Sequence, residues 1–528
     1  MLLLPFCCLL VFAFCMKISM IISAKDWTYA GEGKVRIAFS NRVKHSSLFG
    51  TLLLITKDGQ QSVENDSRFI DTVMKTWFTE SYISDTVRPI MLDSVAVCEL
   101  FECCSTLRPL QRVLESPLTN FTVQKYACLQ RNLSLICRKT PASEVIYKDE
   151  LSLELKVKCG LKAVTPFVCA SSARLKLEMS RFHLMQLYKQ AQKGKSVGWG
   201  KFVSVNSYDP LMMFSGDHEQ ILRALKSLQL NPQNNLRVLL NAQHIYGWDK
   251  ANIKDMTDAV WKSEFREESE QGQPVEDLLL PERVVTAVAV TLAEEPVLSR
   301  LLSMQQLDLL DSEGAEVVFS RLVEIVQSRE AAVGLLEEQM LRPLHPLVGT
   351  RIHRDEQSCA AGHEDQEDGG GEEYYEDEDN CIVMARDLIS LNISEGDADA
   401  ERMQRHEKAR ALIGAATARQ CLFLLQLWML ALIAKDASVI ITLRRVRLAA
   451  LNTTGRGVGD MWVSHQSVGC CGSVCSTTPN PDSGHFDGYA YTVAVIDIGL
   501  KSLDKPWKKA AEDAVVCQIV ADCLQKLS

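Results

Sequence analysis

Glutamate and lysine alternate in the segment 154–162, ELKVKCGLK, so that Glu154, Lys156 and Lys158 occupy every second position. Because successive side chains of a β-strand point to opposite faces, this pattern predicts a strand with both ammonium groups on one face. An ordinary exposed strand face is the simpler interpretation. In a chain of net charge −10, however, two neighbouring cations also suit a ligand with several phosphates, which binds through charge-assisted hydrogen bonds.

Two aspartates stand beside very apolar segments in the last hundred residues. Asp436 is predicted to open a strand directly after a long apolar helix, and Asp497 lies within or at the end of the apolar strand VAVIDIGLK. A carboxylate there is costly unless it is paired or binds a metal. Singly, each is most simply a capping or ion-paired aspartate. Together they fit the general base and the magnesium ligand of a phosphoryl-transfer site.

Other basic residues lie near the predicted ends of further elements. A ligand with several phosphates needs a ring of cations from distant segments, so the hypothesis requires a fold that brings those segments together. The basic residues concerned are Arg108, Arg112, Lys189, Arg237, Lys501 and Lys505.

The segment Gly31–Glu32–Gly33 stands where a strand is predicted to turn. Glycine has no Cβ, so the backbone amides of such a turn can approach phosphates closely, although an ordinary turn is the simpler interpretation. The chain contains no Walker A motif, which argues against P-loop chemistry.

The bulk composition is that of a globular protein with a large core. The chain has 528 residues, of which 47% are hydrophobic and 23% charged, and this length predicts two structural units. Its acidic balance argues against a general nucleic-acid binder. The 18 cysteines have no zinc-ribbon spacing and favour reduced, buried thiols over a disulfide framework.

Apolar periodicity predicts the elements that must position these residues. Residues 180–192 and 218–230 are predicted to be amphipathic helices. Residues 296–327 are predicted to be strongly helical, with an interruption at DSEG. The apolar run 411–434 is long enough for a membrane span, but its polar interruptions favour a core helix. Residues 354–380 are acidic and rich in glycine, and are predicted to be a disordered insertion.

The first 25 residues are almost wholly apolar, and residues 1–24 suggest a signal peptide or an anchor, although no positive region precedes the apolar run. A mistaken or unusual first exon is the alternative. A secreted protein would accommodate the five N-glycosylation sequons, which begin at Asn65, Asn120, Asn132, Asn392 and Asn452.

Several segments together resemble one family, the inositol-pentakisphosphate 2-kinases. The resemblance covers residues 26 to about 510, with the segments in the family's order, and it is specific only jointly. The segments are DWTYAGEG, ELKVKCG, YDPLMMFSG, PQNNLRVLLN, LDLLDSEG, IAKDASVIITL and VIDIGLKSLDK.

This resemblance implies an α+β, two-lobed fold distantly related to protein kinases, with the ATP site between the lobes. The nucleotide-binding lobe would comprise residues 26–152. The lobe that binds inositol phosphate and carries the catalytic base would comprise residues 153–528. The reaction implied is transfer of the γ-phosphate of ATP, with Mg²⁺, to the 2-hydroxyl of inositol 1,3,4,5,6-pentakisphosphate, which gives inositol hexakisphosphate.

The resemblance also implies roles for individual residues. Asp436 would be the general base and Asp497 the magnesium ligand. The nucleotide would lie against Glu154, Arg237 and the loop of Gly31, Glu32 and Gly33. The residues that would hold substrate phosphates are Arg112, Lys156, Lys158, Lys189, Asn234, Asn235, Lys501 and Lys505.

Departures from the family pattern concentrate in the nucleotide-binding part. There, the family's arginine in the apolar run LLLIT aligns with Leu54. In the other lobe, a histidine expected four residues before Lys189 is Met185. A non-catalytic inositol-phosphate binder with a decayed nucleotide lobe is therefore one alternative, and a secreted or membrane-anchored glycoprotein is another. The expected protein is a monomer of the cytoplasm or nucleus, with membrane contact only if residues 1–24 are a genuine anchor.

Overall fold

The computed structural model has mixed helices and strands, which confirms the α+β class. It describes residues 23–32, 36–41, 43, 46, 48–57, 60–79, 82–83, 88–104, 106–108, 113–114, 125–136, 143–145, 149–168, 170–192, 208–247, 280–353, 372–448, 457–458, 461–465, 471–476, 486–501 and 505–525. Residues 1–22, with most of the apolar N-terminus, lie outside this set, as do Gly33 and Arg112.

The described strands form two antiparallel sheets. The first has the order β1-β2-β3-β5-β4, and the second runs β11-β12-β13-β14-β10-β7-β8-β9, with β6 also paired to β10. The strands are β1 Trp27–Glu32, β2 Arg36–Asn41, β3 Thr51–Thr56, β4 Arg88–Leu92, β5 Lys125–Arg131, β6 Ser143–Val145, β7 Leu151–Lys156, β8 Leu236–Leu240, β9 Gln243–Gly247, β10 Ser438–Leu448, β11 Gly457–Val458, β12 Met461–His465, β13 Cys471–Ser476 and β14 Phe486–Ile496.

Helices cover both sheets. A π-helical turn, Ile70–Met74, links the first two of them. The helices are α1 Gln60–Phe69, α2 Lys75–Trp77, α3 Ser94–Cys104, α4 Ala170–Glu178, α5 Arg181–Gln192, α6 Pro210–Met213, α7 His218–Leu230, α8 Glu282–Glu294, α9 Val297–Gln305, α10 Asp311–Val326, α11 Arg329–Met340, α12 Leu347–His353, α13 Glu372–Ser390, α14 Asp399–Gly414, α15 Ala418–Asp436 and α16 Lys505–Gln525.

Local sequence signals set several helix starts. At α7 the Asp217 carboxylate accepts a hydrogen bond from the N–H of Gln220 at 2.9 Å, and at α6 Asp209 caps a turn whose first residue is Pro210. At α15, Thr417 and Gln420 form a reciprocal capping box. Such caps satisfy N–H groups that have no partner within the helix.

Helix α15 is the centre of the main hydrophobic core. By length and composition it is apolar enough to cross a membrane, but 67% of its apolar window is buried within the described protein. Its side chains pack with the apolar faces of strands β7, β10 and β14. The prediction of a core helix is therefore confirmed, although the apolar run 411–434 is divided between the end of α14 and α15.

The two sheets have separate hydrophobic cores. The segment that follows β3 packs into the larger core, that of the second sheet. Phe39, Leu53 and Ile55 pack against α3 in the smaller cluster. Residues at the end of α1 and beyond, such as Phe69 and Trp77, belong instead to the main cluster with Leu151. This segment therefore ties the two sheets together.

Four sequence predictions need correction. Strand β7 ends at Lys156, so Lys158 is not on the same strand face. Asp436 is the last residue of α15, and the strand begins at Ser438. The helical break lies at residues 306–310, and DSEG opens α10. Residues 372–380, predicted as disordered, form the first half of α13, while 354–371 lie outside the described residues.

Candidate active site

Three strand ends meet at the edge of the second sheet, because β10 pairs on one side with β7 and on the other with β14. Ser438, the first residue of β10, lies opposite Lys156 and Ile496. Asp497 follows Ile496 directly and has a left-handed backbone, with φ 62°. The strand register thus brings Lys156 and Asp497 together from segments more than three hundred residues apart.

The carboxylate of Asp497 is held by two donors at this edge. Its Oδ2 lies 3.2 Å from the Lys156 ammonium and accepts a hydrogen bond from the Ser438 hydroxyl at 3.1 Å. The Lys501 ammonium donates to the Asp497 carbonyl at 3.4 Å. The prediction that Asp497 stands at a strand end is confirmed, and the lysines of two predicted phosphate-binding segments lie beside it.

Glu154 and Arg237 face each other across β7 and β8. The Arg237 guanidinium lies 3.4 Å from the Glu154 carboxylate. Burial raises the pKa of Glu154 above its ordinary value, and the charge of Arg237 opposes that rise. These two predicted nucleotide neighbours therefore lie within the second sheet, Glu154 on β7, which ends at Lys156, and Arg237 on the adjacent strand β8.

A pocket of about 190 Å³ opens beside this edge. The predicted base Asp436 and the predicted phosphate ligands Lys158, Lys189, Asn234 and Asn235 all line it. The tertiary structure therefore gathers five of the predicted site residues from four separate segments.

Helix α5 supplies one wall of the pocket. Phe182, Met185, Gln186 and Lys189 line it, and these positions recur three and four residues apart on one helical face. Met185, rather than the expected histidine, therefore faces the pocket. His183 is not among the lining residues, and its ring nitrogen lies 3.1 Å from the Ser180 hydroxyl.

Lys158 and Lys189 are the cations best placed to meet an anion. Neither forms an ion pair with another of the described residues. Burial lowers the pKa of Lys158, the Asp436 carboxylate opposes this, and the neighbouring charges of Lys156 and Lys189 lower it further. Unneutralised ammonium groups that lie close together favour a bound polyanion.

The turn before β8 presents two asparagines to the pocket. Asn234 is exposed, whereas Asn235 is only 2% exposed. The side-chain Oδ1 of Asn235 is buried and has no hydrogen-bond partner among the described residues. An unsatisfied buried acceptor that lines a pocket is costly, and a ligand hydroxyl would satisfy it.

Part of the pocket wall belongs to a paired ionic layer that sequence reasoning missed. Lys435 forms an ion pair with Asp308, and Lys176 lies 2.6 Å from Asp311. Arg181 lies 2.6 Å from Asp513. The motif LDLLDSEG was the available signal, because its first two aspartates supply two of these carboxylates. The ion pairs of this layer neutralise one another's charges and so leave Lys158 and Lys189, in the same pocket, to a ligand.

The first sheet carries the remaining predicted nucleotide residues. Gly31 lies in β1, with no atom within 4 Å of where a Cβ would be. The Glu32 side chain is fully buried, 2.6 Å from Lys57 and bidentate to Arg108 at 2.7 Å. Burial opposes the change, but these two cations lower the pKa of Glu32. Glu32 is thus engaged inside the sheet, and Gly31 keeps an open backbone.

Arg36 and Asp66 join the first sheet to the loop after Asp497. Their side chains form an ion pair, and Asp66 accepts the N–H of Leu500 at 2.8 Å. Arg36 lies on the same face of the sheet as Leu54, because Ala38 pairs with Leu54 and Arg36 with Thr56. The guanidinium of Arg36 therefore lies on the same sheet face as Leu54, the position at which the family's arginine is expected.

Two predicted phosphate ligands remain untested. Arg112 lies outside the described residues, as does Gly33. Lys505 is the first residue of α16, but its side chain is outside the described set.

The chain matches one family model over residues 29–514, described as inositol-pentakisphosphate 2-kinase. An inositol-pentakisphosphate 2-kinase of Arabidopsis thaliana is 28% identical over 324 residues, which cover 55% of this chain and 68% of the relative. One of Oryza sativa subsp. indica is 23% identical over 368 residues, covering 63% and 77%. One of Danio rerio is 24% identical over 242 residues, covering 42% and 44%.

The match of the family model to most of the chain agrees with the gathering of the motif residues around one pocket. The chain therefore belongs to the inositol-pentakisphosphate 2-kinase family.

Proposed function

We propose that this protein transfers the γ-phosphate of ATP to the 2-hydroxyl of inositol 1,3,4,5,6-pentakisphosphate and releases ADP and inositol hexakisphosphate. The observation that carries the proposal is the pocket itself, in which Asp436 lies among Lys158, Lys189 and Asn235. A carboxylate surrounded by unpaired lysines suits a substrate that offers one hydroxyl and many phosphates.

The substrate phosphates are held by cations from three segments. Lys158 and Lys189 contribute from the pocket, and Lys156 and Lys501 from the edge near Asp497. Such binding fixes the ring so that its remaining hydroxyl meets Asp436, which lowers the barrier mainly by positioning and electrostatics.

Asp436 then acts as the general base. It accepts the proton of the 2-hydroxyl as the hydroxyl oxygen bonds to the γ-phosphorus of ATP, and the bond between that phosphorus and the β,γ-bridging oxygen breaks. The electron pair leaves with ADP, and the proton remains on the carboxyl. General-base catalysis of this kind typically contributes about 10²–10⁴ in rate.

Asp497 is the residue that would hold a magnesium ion, as a single carboxylate ligand. Mg²⁺ is commonly held by one or two carboxylates together with substrate phosphates and waters. The Asp497 carboxylate lies at a strand end, 43% exposed, and so offers an oxygen toward a nucleotide. Bound there, Mg²⁺ would neutralise negative charge on the phosphates of ATP.

We also propose that ATP lies between the first and second sheets, in a two-lobed arrangement related to protein kinases. The open backbone at Gly31 supports this placement. Arg36 supports it as well, because it supplies a cation on the face where Leu54 stands. These observations favour a catalytic protein over a binder with a decayed nucleotide lobe.

The test is incubation of the purified protein with labelled ATP, Mg²⁺ and a panel of inositol phosphates. We expect label in inositol hexakisphosphate only when the pentakisphosphate with a free 2-hydroxyl is present. Asp436→Asn is the matched control. Binding of inositol phosphates without any transfer would instead support the non-catalytic alternative.

A further inference from the structure

One buried glutamine connects the two segments that carry Lys158 and Asp436. Gln305 is the last residue of α9 and is completely buried. Its side-chain amide donates to the Lys158 carbonyl at 2.9 Å and to the Ala434 carbonyl at 3.4 Å. Its carbonyl oxygen accepts the N–H of Gly160 at 2.8 Å.

These partners fix the orientation of the amide. Two backbone carbonyls require N–H donors, and the Gly160 N–H requires an acceptor, so a flipped amide would lose all three interactions. Both amide hydrogens and the oxygen are therefore used.

The bonds to Lys158 and Gly160 hold an unfavourable backbone conformation. Lys158 has φ 63°, a left-handed conformation that costs a residue other than glycine and persists only where its surroundings impose it. Gln305 clamps the carbonyl of Lys158 and the amide of Gly160, and the Tyr208 hydroxyl donates to the Val157 carbonyl at 2.8 Å. The Lys158 side chain consequently leaves the line of β7 and reaches the pocket.

The third bond extends this clamp to the base. Ala434 lies two residues before Asp436, in the last turn of α15. One rigid side chain thus bonds both to residues 157–160, here called the lysine loop, and to the end of α15.

We propose that Gln305 is a positioning residue that sets Lys158 against Asp436 and so fixes the substrate hydroxyl relative to the base. The inference rests on the proposed function, because it assumes that Lys158 binds a substrate phosphate. Gln305 itself touches neither substrate nor nucleotide in this role.

The test uses Gln305→Met, which keeps the length of the side chain and removes its hydrogen bonds. We expect affinity for inositol pentakisphosphate, measured by calorimetry, to fall about tenfold or more, since buried backbone groups lose their partners. ATP affinity is expected to stay within about twofold, because the change is confined to the lysine loop and the end of α15.

Gln426→Met is the matched control for stability. Like Gln305, Gln426 is a buried glutamine, 1% exposed, but it lies on α15. Its side-chain amide donates to the backbone carbonyls of Gln339 and Arg342 at 2.9 and 3.0 Å. It lies ten residues before Asp436. We expect Gln426→Met to lower thermal stability as much as Gln305→Met does and to leave inositol phosphate affinity unchanged.

A double-mutant cycle with Lys158→Ala tests whether Gln305 acts through Lys158. If it does, Lys158→Ala will cost much less affinity in the Gln305→Met background than in the parent. Additive losses, or equal affinity losses in Gln305→Met and Gln426→Met, would overturn the proposal. If Gln305→Met does not fold, Gln305→Glu serves, because it keeps the acceptor for Gly160 but has no N–H for Lys158, and the same direction is expected.

The two proposals fail differently. A parent protein that binds no inositol polyphosphate removes the proposed function and this inference together. A parent that binds and transfers phosphate, beside a Gln305→Met variant of equal affinity, removes only the role of Gln305.

Discussion

At the scale of single residues, the proposed chemistry depends on Asp436 and Lys158. They line the same pocket, and the carboxylate charge partly opposes the effect of burial on the lysine. The proposed base must lie near the cations proposed to hold the substrate, and the placement of Asp436 beside Lys158 is consistent with that requirement. Two variants test the pair separately.

Asp436→Asn is expected to lower turnover by about 10²–10⁴ and to leave inositol phosphate affinity near that of the parent. The amide keeps the size of the side chain but cannot take the hydroxyl proton. Rapid-quench measurements of phosphate transfer, with calorimetry for binding, give the two quantities. Near-normal turnover would mean that Asp436 has only a structural role.

Lys158 predicts a pH dependence of substrate binding. Its pKa is lowered from 10.5, chiefly by burial, so its positive charge is present below that pKa and is lost as the pH rises through it. We expect affinity for inositol pentakisphosphate to begin falling at a lower pH than an ordinary lysine would give. Calorimetry between pH 7 and 10 measures this affinity. Lys158→Met should bind inositol pentakisphosphate more weakly, and its affinity should begin to fall only at a higher pH than that of the parent. An identical profile in both proteins contradicts the assignment.

At the scale of elements, neighbouring strands and loops can supply the same group to a site. Arg36 on β2 reaches the sheet face on which Leu54 of β3 stands, and Asp66 of α1 ties it to Leu500 in the loop after Asp497. The charge needed by a nucleotide can therefore come from the adjacent strand.

Arg36→Met is expected to weaken ATP binding about 10- to 150-fold, the equivalent of one charge-assisted hydrogen bond of about 1.5–3 kcal/mol. Leu54→Arg in that background should restore much of the loss, because the two positions share a face. Arg68→Met, an exposed change on α1, controls for the loss of positive charge. Nucleotide titration that finds equal ATP affinity in Arg36→Met and Arg68→Met would rule out this role.

Gly160 sets how closely the lysine loop packs against the chain after α6. A Cβ at this position would lie 2.3 Å from the ring of Phe214, so Gly160→Ala forces a shift and should cost about 1–3 kcal/mol of unfolding free energy. Gly334→Ala in α11 has open space around the added methyl and should be neutral or slightly stabilising. Urea unfolding of Gly160→Ala and Gly334→Ala compares their stabilities. Equal free energies of unfolding would show that the loop at Gly160 can move away from Phe214 at little cost.

At the scale of the whole molecule, the charged site sits where two sheets and a central helix meet. The second sheet holds the strand ends, α15 carries Asp436, and the segment from α1 to α2 crosses between the cores. Tyr82 and Tyr491 both donate to the buried Glu295 carboxylate, at 2.5 and 2.8 Å. These contacts fix Tyr82 against β14 of the second sheet.

The acidic segment offers a test at this scale. Replacing residues 354–371 with a Gly-Ser linker of equal length should leave activity and stability unchanged, because the natural sequence has few large apolar residues to bury. Removing residues 372–380 should lower stability, since they form the first half of α13, where Asp379 pairs with Arg351. Thermal unfolding of both variants measures this difference. Equal unfolding midpoints would contradict the prediction that only residues 372–380 contribute to stability.

Local chemistry was readable from the sequence alone. The helices at 181–192 and 218–230 follow from apolar spacing, because this signal acts within a few residues. The family resemblance singled out Asp436, Lys158, Lys189, Asn234 and Asn235, and the structure places all five around one pocket. Their order along the chain also indicated the family that the later comparison established.

Only the tertiary structure decided how these residues meet. Strand alternation predicted Lys158 on the face of Lys156, but the strand ends first and a left-handed backbone, held by Gln305, redirects the side chain. The contact of Asp66 with Leu500 joins residues 434 positions apart. Such contacts depend on sheet register and packing between distant segments, and no local pattern encodes them. For that reason the sequence determined which chemical groups the site contains, and the fold determined their geometry.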